Sequence, residues 1–116
     1  MAYYDKLLQA AEYLRSRMPF APKVGIVLGS GLGGLVDAMG ERVTVPYCEI
    51  PNFPHSHVEG HAGNLVFGCV GKTPVVAMQG RFHFYEGFSM QQVAFPIYVM
   101  KLLGVQDVVI TLSLIH

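Results

Sequence analysis

Residues 24–34 read Val24-Gly-Ile-Val-Leu-Gly-Ser-Gly-Leu-Gly-Gly34. The apolar run Val24 to Leu28 has the length and composition of a strand buried on both faces. It passes directly into glycines that open a short helix through Leu35, Val36 and Met39, with Gly40 as the expected stop. Strand, glycine turn and helix in that order form the repeating unit of an α/β fold.

The flanking sequence supports the same architecture. Upstream, Leu7, Ala11, Leu14 and Met18 recur at helical spacing, which predicts an amphipathic helix over about residues 3–18, ended by Pro19 and Pro22. Downstream, Arg42 to Pro46 alternates like a strand, and residues 47–63 look irregular. Asn64 to Val70 and Pro74 to Met78 are strand-like runs joined across Gly71-Lys72, a hairpin signal. A loop from Gln79 to Phe88 leads to a helix started by Ser89 in a capping box with Gln92. Val93, Ile97, Met100 and Leu103 form its expected apolar stripe, Gly104 its stop, and Val108 to Thr111 a last strand. Helices and strands alternating around one hairpin predict an α/β fold with a mixed central sheet flanked by helices.

Composition narrows the functional classes. The chain of 116 residues is 52% hydrophobic and 14% charged, well below the roughly 25% charged of an average globular protein. Such a deficit predicts that other protein, further chain or a partner subunit, covers much of the surface. The formal net charge is zero and no basic run occurs, which argues against a nucleic-acid partner. Pro96 and Lys101 interrupt the most apolar stretch, so no membrane helix is expected. Asp5, Lys6 and Glu12 make the N-terminal segment unlike a signal peptide. Cys48 and Cys69 form no CxxC and are expected as buried free thiols in a reducing compartment, which places the protein in the cytoplasm.

Three groups of residues could carry chemistry. Gly29, Gly31 and their neighbours offer bare backbone N–H groups at a helix start, where the helix dipole favours an anion, and Ser30 adds a hydroxyl donor. The same letters satisfy G-x-G-x-x-G, and Glu49 follows at the distance wanted of a ribose-binding acid in a dinucleotide site. A ligand-free strand–helix turn is the plain alternative. Second, Arg81, His83, Tyr85 and Glu86 cluster in a loop after a strand, and loops at strand carboxyl ends are where open α/β sheets bind ligands. Arginine grips an oxyanion in a bidentate manner, His83 can donate a hydrogen bond, and Glu86 could orient His83. Third come His55, His57 and His61. The H-x-H spacing invites a metal, but prolines and glycines make this stretch a loop, and no Asp or Cys accompanies the histidines. A metal site is therefore not expected. His61, between Gly60 and Ala62 and close to Gly63, is the one expected to face a ligand.

Taken together these stretches resemble a family. Val24 to Gly34 resembles the first strand and phosphate loop of the trimeric purine nucleoside phosphorylases. Ile50-Pro-Asn-Phe-Pro54 with Gly60-His-Ala-Gly-Asn-Leu-Val-Phe-Gly68 resembles their second signature, and Met78-Gln-Gly-Arg-Phe-His-Phe-Tyr-Glu-Gly87 their third. Phe95-Pro96 and Leu102-Leu-Gly-Val105 fit the helix that follows. The resemblance implies phosphorolysis of purine nucleosides to free base and ribose 1-phosphate, with inorganic phosphate as co-substrate and no cofactor or metal. It implies phosphate contacts from Ser30, His61, Arg81 and His83, with His83 also catalytic, and a ribose contact from Tyr85. Gly29, Gly31 and Glu86 would support them. It also implies a homotrimer active in purine salvage.

The resemblance covers about residues 3 to 111, read as the N-terminal part of a single phosphorylase domain. Residues 112–116, Leu-Ser-Leu-Ile-His, depart from it and are expected to be foreign; they are what the transposon-adapter end CTGTCTCTTATACAC encodes. The family's base-binding Glu and Asn find no counterpart, so base preference is not legible and the chain by itself is expected to be inactive. Two other readings compete: a dinucleotide-binding oxidoreductase fragment, and an incomplete, non-catalytic domain.

Overall fold

A computed structural model describes residues 2–27, 33–53, 63–79 and 90–110. The described elements are helix α1 (Tyr3–Arg17), strand β1 (Val24–Val27), helix α2 (Gly33–Ala38), strand β2 (Gly40–Pro46), a 3-10 turn (Tyr47–Glu49), strands β3 (Asn64–Val70) and β4 (Thr73–Gln79), helix α3 (Met90–Leu102) and strand β5 (Asp107–Ile110). The five strands form one mixed sheet in the order β2-β3-β4-β1-β5. β1 runs parallel to both β4 and β5, while β3 is antiparallel to β2 and to β4. The α/β architecture expected from the alternation of elements is the one observed.

The helices divide between the two faces, and the strand period of two tells the faces apart. Leu65, Phe67, Val76, Met78 and Val27 pack with Leu7, Ala10, Ala11 and Leu14 of α1 and Phe95, Val99, Met100 and Leu103 of α3. The alternate residues Val66, Val75 and Ala77, with Val24 and Ile26, pack against Val36 of α2 and the adjoining Met39. α1 and α3 thus cover one face and α2 the other. Arg15 of α1 donates to the carbonyl of Leu102 at 2.7 Å, which satisfies one of the open carbonyls at the end of α3. Tyr3 packs edge-on against Phe95, with ring centroids 5.7 Å apart.

Turn chemistry explains several boundaries. β3 and β4 join through Gly71-Lys72, with Gly71 at φ 63. A positive φ at the first loop residue alone matches the glycine preference of a type II′ hairpin. α3 ends as a Schellman motif: Gly104 N–H bonds the Lys101 carbonyl, and Val105 N–H bonds that of Met100. Gly104 has φ 108, so its expected role as the stop holds.

Three expectations need correction. Gly40 does not close α2; it opens β2 by pairing with Cys69, and the register shifts before Val43, with Glu41 at φ 53. The helix ends instead at Ala38, and Met39 turns into the core. The stripe of α3 differs from the expected one: Phe95, Pro96 and Val99 are buried alongside Met100 and Leu103, Ile97 is only half-buried, and the Val93 side chain lies outside the described residues. α3 shares one core cluster with both α1 and the sheet and must satisfy both. The two thiols are free, but Cys48 is exposed and Cys69 half-buried. Tyr47 takes the inward position of the 3-10 turn, which leaves its neighbour Cys48 facing out. The proposed Ser89 cap and Thr111 lie outside the described residues. Among those described, no helix is long and apolar enough to cross a membrane.

Candidate functional site

The residues singled out for chemistry, Gly29, Ser30, Gly31, His55, His57, His61, Arg81, His83, Tyr85 and Glu86, lie outside the described residues. Their points of attachment are described, and these share one edge of the sheet. Val27, where the glycine segment begins, is level with Met78 on β4 and with Ile110 on β5. Asn64, which follows the histidine segment, is level with Gln79, which precedes the arginine segment. With strands about 4.8 Å apart, the ends of β3, β4, β1 and β5 span about 14 Å. That edge is wide enough to present several groups to one small molecule.

The direction taken after each strand matters as much. From the carboxyl end of β1 the chain leads to α2 on one face, and from that of the adjacent parallel β4 it leads to α3 on the other. Two neighbouring parallel strands whose connections leave to opposite faces define a topological switch point. The crevice outside their carboxyl ends is the standard ligand position of open α/β sheets. The glycine segment and the arginine segment follow in the chain directly from those two strand ends.

The described residues at this edge are tightly organised. Ile50, Pro51, Asn52 and Phe53 form a turn closed by Phe53 N–H to the Ile50 carbonyl at 3.2 Å, with Asn52 at φ 63. Proline first and a left-handed Asn second is the type II pattern. The Asn52 side chain ties this turn to α1, donating to the Lys6 carbonyl and, at 2.7 Å, to Gln9 Oε1. Phe53 packs between Tyr47 and Phe95. Tyr47 N–H bonds the Gly63 carbonyl at 3.0 Å, and the buried Tyr47 ring lies so close to Gly63 that a side chain there would strike it. Burial pushes the Tyr47 phenol well above its ordinary range. At the rim, Asn64 Nδ2 donates to Gln79 Oε1 at 3.3 Å.

Comparison with known proteins decides the family. A family model described as the phosphorylase superfamily matches residues 23–111. The chain belongs to the phosphorylase superfamily. Purine nucleoside phosphorylase 1 of Geobacillus stearothermophilus is 52% identical, over 89% of this chain and 38% of that protein. Purine nucleoside phosphorylase of Rattus norvegicus is 49% identical, over 93% of this chain and 37% of that protein. The solved structure of isoform 2 of purine nucleoside phosphorylase from Schistosoma mansoni, in complex with cytosine and ribose-1-phosphate, matches with a TM-score of 0.88 at 51% identity. That match covers 94% of this chain and 38% of the other. This member of the superfamily spans roughly two fifths of the length of the curated relatives it matches.

Sheet order also separates this phosphorylase-superfamily member from a dinucleotide-binding fold. β2, which leads to Glu49, is separated from β1 by β3 and β4. Glu49 is exposed and accepts a hydrogen bond from the Tyr13 hydroxyl at 3.4 Å. It therefore does not stand beside the glycine segment as a ribose-binding acid would. Asn52, Tyr47, Asn64 and Gln79 were not among the residues expected at the site. For the last two a signal existed: counting outward from the two-residue hairpin loop pairs residue 64 with residue 79.

Proposed function

We propose that this chain supplies the phosphate-holding and ribose-facing part of a purine nucleoside phosphorylase, which converts a purine nucleoside and inorganic phosphate to free base and ribose 1-phosphate. The observation that supports the reading is that the described residues Val27, Asn64 and Gln79, to which the three signature segments attach, share the switch-point end of the sheet. The identity to purine nucleoside phosphorylases, including a relative solved with ribose-1-phosphate, supports it.

In this reading the backbone N–H groups at Gly29 and Gly31, the Ser30 hydroxyl and the Arg81 guanidinium hold the phosphate dianion, with His61 close by. A phosphate oxygen attacks the anomeric carbon as the glycosidic bond breaks, and the bonding pair leaves with the purine. Positive charge develops on the sugar, as in glycoside hydrolysis, with phosphate as the nucleophile. The bound dianion stabilises that charge from a fixed position. His83, oriented by Glu86, bridges phosphate and a sugar hydroxyl, and Tyr85 faces the ribose. No metal or organic cofactor takes part, and the working protein is a cytoplasmic homotrimer of purine salvage. The low charge content is consistent with surface covered by further protein.

The test joins residues 1–111 to the remaining C-terminal portion of the Geobacillus stearothermophilus relative. Hypoxanthine release from inosine is then followed in a coupled assay, with and without phosphate. The expected result is phosphate-dependent release by the joined protein and none by the 116-residue chain. A folded joined protein that cleaves inosine without phosphate, or not at all, overturns the reading.

A further inference from the structure

β2 is the outermost strand of the described sheet, and its free edge is interrupted at both ends. Between the pairs Gly40–Cys69 and Val43–Phe67, two residues of β2, Glu41 and Arg42, face one residue of β3, Gly68. This is a β-bulge, and its first residue, Glu41, has φ 53, the left-handed conformation that glycine ordinarily supplies there. The bulge is held from two sides. Arg42 Nη1 donates to the Val36 carbonyl at 3.1 Å, near the end of α2, and lies 3.5 Å from Asp37 Oδ1. Opposite, Gly68 is tightly packed: a Cβ there would lie 2.9 Å from Met39 Cε and 3.0 Å from the Gly40 carbonyl oxygen. At the other end of β2, Tyr47 N–H bonds the Gly63 carbonyl. Hydrogen-bonded and non-hydrogen-bonded pairs alternate along an antiparallel ladder. The backbone groups of Val43 and Val45 therefore turn toward β3, and those of Thr44 and residue 46 turn to the free edge. Residue 46 is proline, which has no N–H to offer. Thr44 is left as the one regular outward donor of β2.

We propose that this edge is closed to strand addition, so that a second copy of the chain cannot extend the sheet at β2. The closure is the Glu41–Arg42 bulge at one end and Pro46 at the other. Two copies joined antiparallel about Thr44 would set residue 42 of each opposite residue 46 of the other. Each proline would then meet the other copy's bulge, and neither supplies a rung. An edge strand with unpaired N–H and C=O groups is a template for another chain, and bulges and prolines are the means that blunt it. Charge does little to keep copies of this chain apart, since its formal net charge is zero and 14% of its residues are charged. Backbone geometry takes that part, and the strained Glu41 is kept because it makes the bulge. The inference does not rest on the phosphorylase reading.

Amide hydrogen exchange of the 116-residue chain, followed at Thr44 from dilute to concentrated protein, tests the closure. The parent should show the same Thr44 rate throughout. A double variant that lacks Glu41, which removes the bulge, and carries Pro46→Val, which restores the donor, should pair with itself. Its amides at residues 44 and 46 should slow with concentration by about fivefold or more, the scale of one net hydrogen bond. Association through any other surface leaves Thr44 unchanged. A parent in which Thr44 slows with concentration overturns the proposal, and so does a folded double variant in which neither amide slows. The inward amide of Val45 reports whether β2 stays folded. If the deletion removes its protection, Pro46→Val alone decides: concentration-dependent slowing at residue 46 supports the closure, and a constant rate refutes it. Glu41→Gly is the control. It keeps the bulge and relieves the left-handed strain, so it should raise the folding equilibrium constant about three- to fivefold with no concentration dependence at Thr44. If Thr44 then slows with concentration, the side chain rather than the bulge shuts the edge, and the proposal falls.

Discussion

Replacing Gly63 by alanine tests how tightly the site edge is built. The added Cβ would lie 2.2 Å from Cε2 and 2.7 Å from Cδ2 of Tyr47, and 2.8 Å from the carbonyl oxygen of Gln79. None of these can retreat easily. The Tyr47 ring is 2% exposed and packs against Phe53 with centroids 5.4 Å apart, and the Gln79 backbone belongs to the β3–β4 ladder. Relief requires moving the start of β3 or displacing a core aromatic. Overpacking costs typically 1–3 kcal/mol, and rigid neighbours on two sides place this case near the top, at about 3 kcal/mol. For a domain of this size that loss lowers the melting temperature by roughly 10–15 °C. Gly34→Ala is the control, because no described residue lies within 4 Å of a Cβ there and the residue is in helix α2; it should be neutral or stabilise by about 0.5 kcal/mol. Urea and thermal unfolding of the two variants measure the difference. A Gly63→Ala protein within about 0.5 kcal/mol of the parent, the size of an ordinary surface change, would show that the edge yields and that the reasoning fails.

Other consequences can be checked separately. Tyr47 is neutral in the folded protein and its folded pKa is raised, so its contribution is fully present below the unfolded pKa and is lost as pH rises above it. Stability should fall by about 1.4 kcal/mol per pH unit above roughly pH 10, and Tyr47→Phe should reduce that slope; equal slopes for both proteins in pH-dependent urea titrations count against it. Gly104→Ala forces a side chain into φ 108 and should cost about 1–2 kcal/mol by denaturant unfolding, with no cost if the helix end simply rewinds. In the joined full-length protein, Arg81→Ala should remove about 2–4 kcal/mol of transition-state stabilisation and act on phosphate use. Steady-state kinetics in which only the nucleoside KM changes would contradict that role. Fluorescence titration with NADH should show no saturable binding to this chain, and a saturable signal would revive the dinucleotide reading.

Much of the local structure was legible because its causes are local. Pro19 and Pro22 stop α1, Gly104 supplies the conformation that ends α3, and Gly71-Lys72 sets the hairpin and, with it, the pairing of residue 64 with 79. Each signal acts through hydrogen bonds or steric limits that reach only a few residues. The motifs Val24 to Gly34, Ile50 to Gly68 and Met78 to Gly87 name candidate site residues by type and order, and the described structure reaches only their attachment points. Tertiary structure alone decided that β1 inserts between β4 and β5, that β2 lies at the far edge away from the glycine segment, and that Cys48 turns outward while Tyr47 goes in. It also brought Asn52 to α1 and Tyr47 under Gly63, partners separated by 46 and 16 positions in the chain (52 − 6 = 46; 63 − 47 = 16). Strand order and such contacts follow from burying both faces of one sheet at once, a condition on the whole chain that no short window of residues contains.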